Sequence, residues 1–180
     1  MALPHAILVA LLEGPSSGYD LAKRFDSSVS FFWDASHQQI YRELAKLEET
    51  GHVTAEAVPQ EDHPNKKLYA ITDSGQTMLT EWMRETSPAS PIKDNLLVKL
   101  FGGYLVEPDI LLAELRKHRK LHQTRLVEYQ TLEEQLFPDT TELSKKQTYQ
   151  HLTLRNGIQS EQGWLRWCDE AIAALQSFED

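Results

Sequence analysis

The stretch Ser36-His37-Gln38-Gln39-Ile40-Tyr41-Arg42-Glu43-Leu44-Ala45-Lys46-Leu47-Glu48-Glu49-Thr50-Gly51 decides the fold. Ser36 followed three residues later by Gln39 is a capping box, in which the two side chains satisfy helix-start N–H groups reciprocally. Ile40, Leu44 and Leu47 recur at spacings of 4 and 3, so one side of the helix is apolar. Gly51 is the expected stop, because helices favour a left-handed glycine just past the cap. At about 100° per residue, Gln38, Arg42 and Ala45 face away from the apolar side, flanked by Gln39, Tyr41 and Lys46. Glutamine pairs bidentately with adenine and arginine with guanine, while a small alanine permits close approach to a groove. Any solvated helix can also carry such a face, so the neighbouring elements must decide.

Upstream, Ile7, Leu8, Leu11 and Leu12 keep helical spacing until Gly14-Pro15 ends the segment. Ser17, with Asp20 three residues on, predicts the N-cap of a second helix carrying Leu21 and Phe25. Downstream, residues 52–58 alternate and predict a strand; a polar turn from Pro59 to Asn65 leads into a second strand at Lys67–Ile71. Asp73 with Gln76 then predicts the cap of a fourth helix bearing Met78, Leu79, Trp82 and Met83. This order is a winged helix-turn-helix with a two-stranded wing. Lys66 and Lys67 at the hairpin, beside Tyr69, suit phosphate or minor-groove contact, and Ser36, Tyr19 and Tyr41 have hydroxyls for phosphates. Glu61 and Asp62 in the same turn would repel DNA unless they face away.

Ser87-Pro88-Ala89-Ser90-Pro91 disfavours helix and divides the chain into residues 1–86, a linker at 87–91, and residues 92–180. The second part reads as helix throughout. A short helix from about Lys93 to Tyr104 carries Leu96, Leu97, Leu100 and Phe101. Glu107-Pro108-Asp109 opens a long one marked by Leu111, Leu115, Leu126, Tyr129, Leu132 and Leu136 and ending at Pro138. A last helix runs from about Leu143 to Phe178 with two apolar stripes. Leu154, Ile158, Leu165, Cys168, Ile172 and Leu175 form one; Trp164, Trp167, Ala171, Ala174 and Phe178 form the other. One surface helix needs only a single stripe, so the second predicts a homodimer. Leu165, Cys168, Ile172 and Leu175 are expected on the intersubunit face, with Trp164 and Trp167 packing inward on the long helix.

The 180 residues are 41% hydrophobic and 25% charged, a globular composition. No apolar run approaches the roughly 20 residues of a membrane span, and Met-Ala-Leu-Pro-His is no secretory signal. One cysteine excludes an internal disulfide. A cytoplasmic protein with no membrane partner is expected. Net charge is −9, and residues 1–86 hold 7 basic against 13 acidic side chains. Bulk charge thus opposes DNA binding, which rests on neutralising phosphates, and favours a second reading: a winged-helix adapter that binds a partner protein and no DNA.

A set of residues nevertheless carries a family resemblance. Ile7 to Leu12, Gly14-Pro15, Ser17-Gly18-Tyr19-Asp20-Leu21, Phe32-Trp33, Ser36, Gln39-Ile40-Tyr41, Leu44, Leu47-Glu48, Gly51, Lys67, Tyr69, Ile71-Thr72, Gly75 and Trp82 match in order and spacing. With them the chain resembles PadR-family transcriptional regulators, and the segment from Ser90 to Phe101 resembles the subgroup with an extended C-terminal dimerisation domain. Ser17 stands where the family usually has histidine, Gln38 where it often has glycine, and the wing has fewer arginines. The resemblance implies a dimeric repressor on a palindromic double-stranded DNA operator. It also implies a small aromatic or hydrophobic effector, in some members held between tryptophans, which would point to Trp164 and Trp167.

Glu114, His118 and His122 have the spacing of a helical zinc site, but they lie beside the Leu115–Leu126 line and read as a polar patch or seam. No metal, cofactor or catalytic set is expected, and Cys168 reads as a small buried hydrophobe.

Overall fold

The computed structural model describes residues 2–25, 33, 35–59, 66–89 and 93–178. Glu61, Asp62 and most of the turn between the wing strands lie outside the described residues, as do Phe32 and part of the linker. The chain forms two compact units, Met1–Ala89 and Ser90–Asp180.

The first unit runs α1 (Leu3–Leu11), β1 (Ser16–Ser17), α2 (Gly18–Arg24), α3 (His37–Glu49), β2 (Val53–Val58), β3 (Lys66–Ile71) and α4 (Asp73–Arg84). The capping box at Ser36 and Gln39 is present, as is the Ser17 cap on Asp20. Ile7, Leu8, Leu11, Leu21, Phe25, Ile40, Leu44, Leu47, Val53 and Leu79 share one core. Gly51 has φ +74°, the left-handed conformation expected after the Thr50 cap.

Four details differ from the sequence pattern. The sheet has three strands, ordered β1-β3-β2, because Ser16 and Ser17 pair antiparallel with Tyr69 and Leu68. A two-residue serine strand has no alternation to betray it. The cap of α4 is Thr72, whose hydroxyl accepts from the Gly75 N–H at 3.0 Å and donates to the Gly51 carbonyl at 2.8 Å. Leu12 and Met83 are exposed: Leu12 follows the last residue of α1, and Met83 lies in the last turn of α4, one residue past the half-buried Trp82.

The second unit comprises α5 (Asn95–Phe101), a 3-10 turn at Gly103–Leu105, α6 (Pro108–Leu136) and α7 (Lys145–Gln176). Asp94 caps α5, and Ser144 with Gln147 forms a second capping box at the start of α7. Arg119 pairs with Asp169, His122 with Glu161, and Glu133 with His151 and Arg155. Rising numbers on α6 meet falling numbers on α7, so the two helices are antiparallel.

The seam between them takes Leu112 and Leu115 from α6 and Leu154, Ile158, Leu165 and Cys168 from α7. Here the expected stripe assignment is corrected. Leu165 and Cys168 are 9% and 0% exposed within the single chain; with Leu154, Ile158 and Glu161 they form the line that α7 turns towards α6. Phe101 and Leu136 are solvent-exposed, whereas Phe137 is buried. The chain leaves helical geometry at Phe137 (φ −134°, ψ 56°), which folds that ring beneath the turn beside His151.

One polar pair interrupts the seam. His122 Nδ1 and Glu161 Oε2 lie 2.5 Å apart, both side chains are buried, and the Trp164 ring stacks on His122 at 4.9 Å. Removing one partner of such a pair strands the other without solvent. His122→Ala should therefore destabilise the second unit by about 3–5 kcal/mol. The double change His122→Leu with Glu161→Met should recover most of that loss in denaturant titrations.

Candidate nucleic-acid interface

Burial of Ile40, Leu44 and Leu47 fixes the rotation of α3, and Gln38, Tyr41, Arg42, Ala45 and Lys46 are all on its exposed side. Their environments are not equivalent. The Gln39 side chain accepts from the Ser36 N–H at 2.9 Å and from the Ser36 hydroxyl at 3.0 Å. Both side chains are thus engaged in the helix cap, and contact with another molecule would cost that cap. Lys46 pairs with Glu43 at 3.3 Å. Arg42 forms no ion pair among the described residues and lies exposed on the outer side of α3.

Tyr41 lies over the start of α2. A Cβ built on Gly18 would come within 2.4 Å of the Tyr41 ring, so only glycine permits this approach. The ring thereby joins α2 to α3 while remaining partly exposed. Tyr19, on the first turn of α2, is the more open of the two tyrosines.

The wing departs from expectation. Tyr69, on the central strand β3, is buried to 8% exposure because its ring joins the apolar core of the unit. A phenol so placed is a packing residue, which removes it from the expected phosphate contacts. Lys67 lies 5.4 Å above that ring. Both wing lysines are already partnered: Lys66 meets Asp20 of α2 at 2.7 Å, and Lys67 meets Glu48 of α3 at 2.6 Å. The Lys66 ammonium, helped by the Ser17 hydroxyl, holds the Asp20 carboxyl below the usual carboxylate range. Glu48 holds Lys67 above the usual lysine range. Neither pairing has a sequence signal, since the partners are separated by 46 and 19 residues.

In the second unit, Trp164 and Trp167 meet edge to face at 5.2 Å, and the stacked face of Trp164 is covered by His122. A cavity of about 550 Å³ opens at the α6–α7 turn, lined by Glu133, Phe137, His151 and Arg155 among others and by neither tryptophan. Trp82 stacks on His5 at 4.3 Å in the first unit, and Trp33 packs on its core. Glu114 is held by Lys99 and His122 by Glu161, and no metal-ligating group of three is found among the described residues. No described helix is long and apolar enough to cross a membrane.

Comparison with known proteins matches both units. Residues 7–81 match the transcriptional regulator PadR-like family, and residues 92–176 match the virulence activator alpha C-terminal family. The probable transcriptional regulator Rv1176c of Mycobacterium tuberculosis is 41% identical, over 98% of each chain. The Vibrio cholerae virulence activator AphA superposes with a TM-score of 0.80 at 32% identity, covering 98% of this chain and 99% of its own. Bacillus subtilis PadR, solved with operator DNA, superposes with a TM-score of 0.84 at 27% identity, covering 97% and 99%. PadR has also been solved with p-coumaric acid.

The Gly18–Tyr41 contact makes a stability prediction independent of any ligand. Gly18→Ala should cost about 1–3 kcal/mol through overpacking. Tyr41→Leu, which removes the ring edge, should make the same substitution nearly silent in thermal melts.

Proposed function

The chain belongs to the PadR-like family of transcriptional regulators and is a DNA-binding winged-helix protein, and we propose that it represses transcription as a homodimer on a palindromic operator. The observation that carries this reading is the rotation of α3. Its apolar side is buried and its outer side presents Gln38 and Arg42 with small Ala45 between the following turns. Each protomer would insert that side in a major groove, with half-sites about one helical turn or a multiple apart. PadR of Bacillus subtilis, by name a negative transcriptional regulator, is 29% identical over 96% of this chain, which supports repression. Its structure with p-coumaric acid supports release of this chain by a small aromatic acid.

Support for the homodimer comes from apolar surface in the second unit. Val98, Phe101, Tyr104, Leu105 and Ile110 are exposed around the end of α5 and the start of α6; Phe101 is 92% and Tyr104 is 86% exposed. Contiguous apolar surface of this kind marks association sites. We place the intersubunit contact there, with Ile172 and Leu175, half-buried on α7, as further contributors.

Operator DNA for testing is obtained by selecting duplexes from a random pool. Arg42→Ala should weaken binding to the selected operator by about 1–3 kcal/mol while leaving random duplex nearly unaffected. Equal loss on both DNAs would reduce Arg42 to a phosphate contact. Phe101→Asp and Leu105→Asp replace side chains that are open in the protomer, so they should give a folded monomer in sedimentation and circular dichroism. That monomer should bind the operator weakly, since one half-site loses the advantage of linked contacts. A variant pair that stays dimeric would move the interface elsewhere. Transcription assayed in vitro from a promoter containing the operator should fall on adding the protein, and p-coumaric acid should restore it.

A further inference from the structure

The two carboxylates that hold the wing lysines lie outside the set of side chains proposed to read DNA. Asp20 is on the first turn of α2 and Glu48 on the last turn of α3. Asp20 is fixed in place: the Ser17 hydroxyl donates to its Oδ2 at 2.7 Å while the Ser17 oxygen accepts from the Asp20 N–H at 3.1 Å. Lys66 therefore meets a prepared anion rather than a passing one. Glu48 bonds only Lys67 with its side chain among the described residues, at 2.6 Å. A carboxylate offers an ammonium the same oxygen acceptors as a DNA phosphate does. Both pairs are partly solvent-exposed, and exposed ion pairs are weak enough to exchange.

Resting on the DNA-binding reading above, we propose that Asp20 and Glu48 are specificity-determining residues that suppress sequence-independent binding. A lysine that turns from its carboxylate to a phosphate leaves that carboxylate unpaired beside a polyanion. On random duplex the exchange brings little net attraction. On the operator, base contacts from α3 hold the protein while the lysines stay with their carboxylates, so the penalty falls on random duplex. The effect is strengthened by the composition of residues 1–86, where acidic side chains outnumber basic ones 13 to 7. The carboxylates thus lower affinity for random duplex more than for the operator, which raises the ratio between the two.

The test uses the full-length protein, the operator selected from a random pool, and a random-sequence duplex of equal length, each titrated over a range of salt. Asp20→Asn with Glu48→Gln frees both lysines while keeping side-chain shape. Random-duplex affinity should rise about tenfold, because two weak competitors are gone, and its log–log salt slope should steepen by about 1–2. Operator affinity should rise less, so the specificity ratio falls. Adding Lys66→Ala and Lys67→Ala to the double variant should abolish the gain. Because Asp20 also engages the α2 cap, Glu48→Gln alone is the second variant, with the same changes at about half the size on a logarithmic scale. An operator bound with unchanged ratio and slope by both variants would overturn the role of the carboxylates. So would a loss of affinity for both DNAs, which would make them supports for the lysines. A selection that enriches no sequence would instead overturn the reading of the α3 face.

Discussion

The rotation of α3 about its own axis is the constraint on which the rest of the first unit depends. Ile40, Leu44 and Leu47 are all buried, at 0%, 0% and 3% exposure, and the capping box at Ser36 and Gln39 fixes where the helix begins. A slip of one residue would turn the helix by about 100° and bring Tyr41, Ala45 and Glu48 to the places of Ile40, Leu44 and Leu47. Buried apolar side chains thus decide, at one remove, which polar ones a partner can meet. The other contacts radiate from this helix. Tyr41 locks onto α2 through the open space at Gly18, and Glu48 ties the last turn to β3 through Lys67.

Charge is the second constraint, and it acts against the first. An acidic unit approaching DNA has no strong general attraction to rely on, since that attraction comes from cations neutralising phosphates. Lys46, Lys66 and Lys67 each have a carboxylate partner within the unit. In the proposed complex the reading face would obtain its affinity from geometry, through groups such as Arg42 and Gln38 placed to meet base edges. On that reading, weak nonspecific attraction and dependence on base contacts would follow from the same charge distribution. Bulk charge, read alone, supports an adapter that avoids DNA; read with positions, it supports discrimination among DNA sequences.

Local signals in the sequence were enough for α2 and α3. Their caps, apolar spacing and terminal glycine are all relations within a few residues, and local hydrogen bonds realise them. What stayed hidden depends on distant partners. Ser16 and Ser17 become a strand only because β3 passes beside them. Tyr69 looks like a neighbour of the wing lysines in sequence, yet its ring is buried in the core shared with the helices. The partners of Lys66 and Lys67 stayed hidden for the same reason, because Asp20 and Glu48 arrive from other helices. On α7 the two stripes were legible, but both contain groups that pack in the protomer. Leu165 and Cys168 line the seam, and Trp164 covers His122. Helical spacing shows how many faces a helix uses and is silent on which neighbour takes each one.

The seam of the second unit explains why a buried hydrogen-bonded pair fits an otherwise apolar hairpin. Leucine and isoleucine lines alone tolerate sliding, since one apolar contact resembles the next. His122 and Glu161 do not, because a shift of one turn would leave each buried without its partner, at a cost of several kcal/mol. Trp164 stacked on the imidazole adds a ring that also fits in one place. Three further links, Arg119–Asp169, His151–Glu133 and Arg155–Glu133, repeat the same register along the seam. In the proposed dimer this matters beyond stability. A palindromic operator presents its half-sites at a set distance, and only a hairpin held in one register offers the partner subunit a surface of fixed shape.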